Sequence, residues 1–384
     1  MKKVLLLGAS GSIGTQTLDV INKYLDRFEL VGFSVGNKSE YIDKIIKEFP
    51  SVKYVYVTSD DTADEYKVKY PNIAFYSKKD TFIKLINDVD FDMCVEALVG
   101  ISGLVPAIEV LKKNKILCLA NKEALVTGGH LINKLLDDGY GKLYPIDSEH
   151  VALAKCLSKV NKDEVEGLYL TASGGALRDI PFEKLGEMKA SDALKHPNWK
   201  MGDKITIDCA TMMNKGFEVI EAHHLFNIPF DKIDVVLHKE SAIHSMVEYN
   251  DGSIIAQMGN PDMHLPIKYA LLYPKHLADD KTNYFDFDKF SQLNFKNMDY
   301  KRYPLVKIAK EIGKHGGNIC AILNGANDEA VDLFINKKIK FIEIETYILK
   351  TLKAASFIKN PTAKQLVESH EWAKKYVDNL WANS

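Results

Sequence analysis

Short apolar runs separated by amphipathic stretches dominate the first part of the chain. Val4–Leu7, Leu30–Val35, Val52–Val57, Met93–Leu98 and Ile116–Ala120 are mostly apolar and do not alternate strictly, as strands buried on both faces do. Helical spacing lies between them. The first helix runs to about Tyr24 with Ile13, Thr17, Val20 and Ile21 on one face, and others cover Tyr41–Phe49 and Val105–Asn114. Strands alternating with helices predict a doubly wound parallel α/β sheet over residues 1–142.

The pattern changes from Leu143. Leu143–Ile146 and Gly167–Thr171 read as strands with a helix over Val151–Leu157 between them; Val235–Leu237, His244–Tyr249 and Ser253–Met258 follow as further strands. Asn250-Asp251-Gly252 joins the last pair as a hairpin. Residues 143–274 therefore predict an α+β domain. Residues 275–300 are rich in Asp, Asn, Lys and Phe with little periodicity and read as a linker crossing the surface. Helical patterns over Leu305–His315, Ala326–Asn336, Phe341–Ala355 and Pro361–Leu380 predict a helical bundle at 301–384. Lys195–Glu218 fits neither period. It crowds polar side chains among Pro197, Gly202 and Gly216, and reads as a site loop more than a core element.

Composition adds exclusions. Hydrophobic residues make up 46% and charged residues 27%, and the net charge of −2 is spread without a basic block, which argues against nucleic acid or membrane surfaces as partners. The 5 cysteines are scattered and odd in number, consistent with reduced thiols in the cytoplasm. Val4–Leu7 is too short for the apolar region of a signal peptide, and no window approaches a membrane span.

Three segments carry candidate chemistry. Gly8, Gly11 and Gly14 follow a strand and open a helix, so the backbone can turn tightly and the helix start can receive a pyrophosphate; the same glycines also suit a tight turn without ligand. After the second strand stand Asn37, Lys38 and Ser39, where NAD enzymes place an acid, and this set suits the 2′-phosphate of NADP, although Lys38 taken alone better suits a solvated lysine at a helix start. Asp147 and Glu149 lie two apart at a strand end. In extended backbone they point to one side and offer hard oxygen ligands to Mg²⁺ or Mn²⁺, with Glu218 or Glu221 as third ligand. The same Asp-Ser-Glu triplet fits the cap of a following helix. Ser173-Gly174-Gly175 can form an anion nest, and His196, Asn214 and Lys215 can contact a phosphate. Trp199 suits either a lid over a small substrate or a ring docked on the core, and His223-His224 an exposed helix pair.

With those segments in view, the chain resembles the 1-deoxy-D-xylulose 5-phosphate reductoisomerases from end to end. The resemblance rests on GASGSIGTQTLDV at 8–20, LANKEALV at 119–126, PIDSEH at 145–150, LTASGG at 170–175, KHPNWKMG at 195–202, KITIDCATMMNKGFEVIEAHHLF at 204–226, IHSMVEY at 243–249 and GNPDM at 259–263. It implies a Rossmann-like domain, a catalytic α+β domain, a C-terminal helical bundle and a homodimer. It implies NADPH on Ser10, Gly11, Ser12, Ile13, Gly36, Asn37, Lys38, Asn121, Glu123 and Gly202, and a divalent ion on Asp147, Glu149 and Glu218. The sugar phosphate substrate would meet Lys122, Ser148, Glu149, Ser173, His196, Cys209, Asn214, Lys215 and Glu218. Lys122, Glu149, His196 and Trp199 would serve the chemistry, with Trp199 on a flap. Cys209 departs from the family's usual Ser, His264 from its usual Arg, and Asn37-Lys38 inverts the order of some members.

Overall fold

The computed structural model describes residues 1–199, 201–277 and 284–383, arranged as two compact units. Part of the expected linker (278–283) and Lys200 of the expected flap lie outside the described residues. The first unit holds Met1–Ala124, Leu131–Asp147 and Met263–Leu277, and the second holds Leu125–His130, Ser148–Asp262 and the described part of Ala278–Ser384.

The first unit alternates β1 (Lys2–Leu7), α1 (Ser12–Lys23), β2 (Phe28–Val35), α2 (Glu40–Glu48), β3 (Tyr54–Val57), α3 (Asp60–Lys69), β4 (Ala74–Tyr76), α4 (Thr81–Asp88), β5 (Met93–Glu96), α5 (Leu104–Lys112), β6 (Ile116–Leu119), α6 (Lys122–Asp137) and β7 (Lys142–Pro145). Its strands form one 7-stranded parallel sheet in the order β4-β3-β2-β1-β5-β6-β7. Val4, Leu6, Phe33 and Val95 fill its core with Ile21 of α1 and Ile42 of α2. The expected strands and helices are present. β7 differs in place: read from sequence as the opening of the α+β region, it is the edge strand of this first sheet.

The second unit is built from α7 (Ser148–Cys156), β8 (Val165–Ala172), α8 (Ala190–Ala193), α9 (Asp203–Thr211), α10 (Met213–Phe226), β9 (Ile233–Leu237), β10 (Ile243–Tyr249) and β11 (Ile254–Met258). α11 (His264–Leu272) returns to the first unit and packs on α1, so the first unit is not one continuous stretch of sequence. β12 (Lys296–Asn297), within the expected linker, pairs antiparallel with β9. The 5-stranded mixed sheet runs β11-β10-β8-β9-β12, and Gly252 at φ +82° turns the predicted β10–β11 hairpin. α12 (Pro304–His315), α13 (Ile319–Ile335), α14 (Glu343–Ala354) and α15 (Ala363–Ala382) are the predicted C-terminal helices. Phe217, Leu168, Leu323 and Ile348 share one core, so these helices and the mixed sheet pack together. No helix among the described residues is long and apolar enough to cross a membrane.

Candidate active site

In the first unit the glycine loop is a backbone construction. Gly8 sits at φ +92°, and its N–H donates to Ser34 Oγ at 2.8 Å. A Cβ on Gly14 would stand 2.1 Å from the Gly8 carbonyl oxygen, so the close passage of α1 over the loop requires glycine. Gly11 is the N-cap of α1 and no side chain caps it; Ser10 is half-buried, Ser12 exposed and Ile13 half-buried beside it. Gly36, Asn37 and Lys38 are exposed just beyond β2, with Asn37 Oδ1 accepting from Thr58 at 3.1 Å.

Asn121 begins α6 and is buried. Its Oδ1 accepts the Ala124 N–H at 2.7 Å, and its Nδ2 donates to the carbonyls of Leu98 and Gly100, both at 2.9 Å. Its side chain thus holds a turn in place. Lys122 and Glu123 follow in the first turn of α6. Lys122 Nζ lies 2.6 Å from Asp147 Oδ2, with both side chains largely withdrawn from water.

The second unit concentrates buried charge. Lys215, 4% exposed, places Nζ 2.8 Å from Glu149 Oε1 and 2.5 Å from Glu218 Oε2. Burial alone would lower the Lys215 pKa, but the two carboxylates outweigh it and hold the ammonium above its ordinary range. Asn214 donates to Glu218 Oε1 at 2.6 Å and Ser148 to Glu149 Oε2 at 2.5 Å. The α9–α10 break that presents these groups is made by Met212 in left-handed conformation at φ +64°. Lys195–Glu218 is therefore not mainly a loop. Asp203–Thr211 and Met213–Phe226 are helical, and Gly202, exposed in open space, precedes α9.

Gly174 and Gly175 have positive φ values of +86° and +72°, a backbone turn that favours glycine. A Cβ on Gly175 would stand 2.4 Å from the Cys209 carbonyl oxygen, so this turn lies against α9. His196 Nδ1 accepts the N–H groups of Asn198 and Trp199 at 3.2 and 3.0 Å, and Nε2 lies 3.2 Å from Ser173 Oγ. Burial, with Arg178 nearby, pushes His196 down to about 4, so it acts as a neutral donor. Trp199 is half-buried with its ring 6.5 Å from that of His244, and Cys209 is half-exposed on α9.

Three family models describe the chain. A 1-deoxy-D-xylulose 5-phosphate reductoisomerase model matches residues 4–129, its C-terminal domain model 143–226, and a DXP reductoisomerase C-terminal domain model 258–376. A 1-deoxy-D-xylulose 5-phosphate reductoisomerase of Geobacillus sp. (strain WCH70) is 42% identical over 381 residues, 99% of this chain and 100% of that protein.

The chain belongs to the 1-deoxy-D-xylulose 5-phosphate reductoisomerase family.

A Bacillus cereus member is 43% identical over 377 residues, 98% of this chain and 99% of its own length. The Zymomonas mobilis reductoisomerase solved with NADPH superposes with TM-score 0.91 at 34% identity, covering 99% of each chain. A reductoisomerase solved with NADPH, fosmidomycin and magnesium gives 0.93 at 30%, covering 100% of this chain and 98% of the other.

Several expectations change against the structure. Asp147 and Glu149 do not share one face of an extended strand: Asp147 follows β7, whereas Glu149 lies in the first turn of α7. Glu221 does not join the Lys215 cluster. Its Oε2 faces His150 Nδ1 at 3.4 Å, which leaves Glu218 as the partner of Glu149 within this unit. His223 and His224 are not an exposed pair: His223 stacks on Phe230, and burial pushes His224 down to about 3. His264 Nε2 lies 3.3 Å from Asp19 on α1. Sequence reasoning also passed over two residues. Ser34 holds the glycine loop, and its place at the end of β2 signalled that. His150 lies 3.0 Å from the Glu218 carbonyl oxygen, a contact 68 residues apart in sequence that nothing local marks.

Proposed function

We propose that the chain rearranges and reduces 1-deoxy-D-xylulose 5-phosphate to 2-C-methyl-D-erythritol 4-phosphate with NADPH and Mg²⁺ or Mn²⁺, in the non-mevalonate isoprenoid pathway. One observation carries the reading on this family member: two carboxylates, Glu149 and Glu218, converge on a single buried cation, the Lys215 ammonium. Carboxylate oxygens gathered around positive charge fit a hard divalent ion. In this reading Asp147, Glu149 and Glu218 hold it. When bound, the ion supplies Lewis-acid polarisation of the substrate carbonyl, and the nicotinamide supplies hydride.

The chain's own groups do the rest. Lys122, paired with Asp147, orients that carboxylate and stabilises negative charge developing on the substrate. Ser173, neutral His196, Cys209, Asn214, Lys215 and the Gly174–Gly175 amides receive the phosphate, and Ser148 orients Glu149. Trp199, beside these groups, covers the substrate and limits water. Ser10, Gly11, Ser12 and Ile13 take the cofactor pyrophosphate at the start of α1, while Gly36, Asn37 and Lys38 take its 2′-phosphate. Asn121, Glu123 and Gly202 complete the cofactor contacts. The edge strand β11 exposes Ile254, Ile255 and Met258, which supports a second copy of the chain as its partner in a homodimer. Five free cysteines support a cytoplasmic setting. The test is NADPH oxidation by the purified protein with the pentulose phosphate and Mg²⁺, following substrate carbons by isotope labelling. A branched product is expected; reduction without rearrangement would overturn the reading.

A further inference from the structure

Glu96 is the last residue of β5 and is completely buried. Its Oε1 accepts the Leu98 N–H at 2.9 Å, while its Oε2 meets no hydrogen-bond partner among the described residues. Leu98 is gripped from its other end too, because its carbonyl accepts from Asn121 Nδ2 at 2.9 Å. The two side chains converge on one glycine. A Cβ on Gly103 would stand 2.8 Å from Glu96 Oε1 and 2.7 Å from Asn121 Cγ. The turn held this way, 97–103, abuts the glycine loop, since a Cβ on Gly8 would stand 2.4 Å from the Ala97 carbonyl oxygen. A buried side chain thus fixes backbone that touches the loop at the start of α1.

The surroundings favour the uncharged acid. Leu7 of β1 and Leu119 of β6 are its neighbours in the sheet, and the turn presents Gly103. The ionisable groups that act on it are Glu123 on α6 and the Cys94 thiol on its own strand, neither of them cationic. Burial pushes Glu96 up to about 8, the Leu98 N–H opposing and Glu123 adding. As a neutral acid it accepts from Leu98 at no charge penalty. Ionised, it places an uncompensated negative charge next to Glu123 and beneath a loop that must receive a phosphate-bearing dinucleotide.

We propose that Glu96 is a positioning residue for the nicotinamide cofactor: as a neutral acid it holds the 97–103 turn against Asn121 and the glycine loop, and when it gives up its proton the cofactor is held less tightly. The inference rests on the reading above that this loop binds NADPH. If only the neutral form supports tight binding, affinity falls about tenfold per pH unit once the group ionises.

The experiment measures the NADPH dissociation constant of the full chain by nicotinamide fluorescence from pH 7 to pH 9, for wild type and Glu96→Gln. Wild type should weaken about tenfold, whereas the glutamine variant, which keeps the acceptor for Leu98 and cannot ionise, should stay flat. Calorimetry at pH 8 in two buffers of different ionisation enthalpy should show proton uptake on NADPH binding to wild type only. Thermal stability without cofactor supplies a third readout. The folded state keeps a proton that the unfolded chain loses above its ordinary 4.5, so the Glu96 contribution is full at low pH and is lost as pH rises to about 8. The stability gain of Glu96→Gln should therefore grow over that window and then level off. An equal alkaline weakening in Glu96→Gln, or no proton uptake by wild type, overturns the proposal; the second decides even if the variant does not fold. Unchanged NADPH affinity in Gly14→Ala would instead remove the underlying assignment of the loop, leaving the thermal result on Glu96 standing.

Discussion

In the first unit the candidate ligand site is backbone: Gly8 in a conformation side chains avoid, Gly14 without room for a Cβ, and an α1 start that no side chain caps. In the second unit the site is buried charge: Lys215 between Glu149 and Glu218, with Asn214 and Ser148 on the remaining carboxylate oxygens. The first is ready for an anion and neutral in itself. The second pairs its polar groups by hydrogen bonds yet keeps one negative charge in excess, so a cation must exchange with contacts already made. Sites of the first kind fail when space is filled, and those of the second kind when charge is unbalanced.

The charged site gives the largest expected effect. Lys215→Met leaves two carboxylates facing each other in a buried site, and breaking such a pair costs about 3–5 kcal/mol. Chemical denaturation without divalent ions should show that loss, and added Mn²⁺ should recover part of it; an unchanged midpoint would mean that the charges are not coupled. The backbone site comes next. Gly14→Ala drives a Cβ to 2.1 Å from the Gly8 carbonyl oxygen, and overpacking of this kind costs about 1–3 kcal/mol. NADPH affinity should fall at least about tenfold, while Mn²⁺ binding is untouched. If both fall together, the two sites are not separable as described.

A pH effect sharpens the contrast. His196 is held down to about 4 from 6.5, so it is neutral in the folded state while the unfolded chain takes up a proton. Its contribution to stability is present above pH 6.5 and is lost as pH falls toward 4. Melting curves of His196→Gln should lose that slope. The smallest effect concerns Cys209. Cys209→Ser restores a better donor than a thiol, worth about 0.5–1.5 kcal/mol, so a phosphonate substrate mimic should bind about 2- to 10-fold tighter. An unchanged dissociation constant would show that the side chain does not reach the ligand.

Legibility followed the same division. The glycine loop and six of the seven parallel strands were readable, β7 in the wrong region, because each signal is local: an apolar run, a turn, a helix start. α3 was not, because Asp60–Lys69 is polar almost throughout, and β4 is only three residues long. Asp147, Glu149, Lys215 and Glu218 were legible as residue types, and the family resemblance grouped them. Their geometry was not. The Glu149–Lys215 pair joins residues 66 apart, and the α9–α10 helices hide in a stretch whose Gly and Pro content imitates a loop. Glu96 was invisible because a carboxyl inside an apolar strand gives no sign of whether it is charged.

The proposal tested most directly is that Glu149 and Glu218, held together by Lys215, bind one divalent cation. The most direct measurement is Mn²⁺ binding by electron paramagnetic resonance to wild type and Glu218→Gln, each checked for an unchanged fold by circular dichroism. One bound ion per chain and a clear loss of affinity in the variant are predicted. Equal Mn²⁺ affinity in the two proteins would contradict the account.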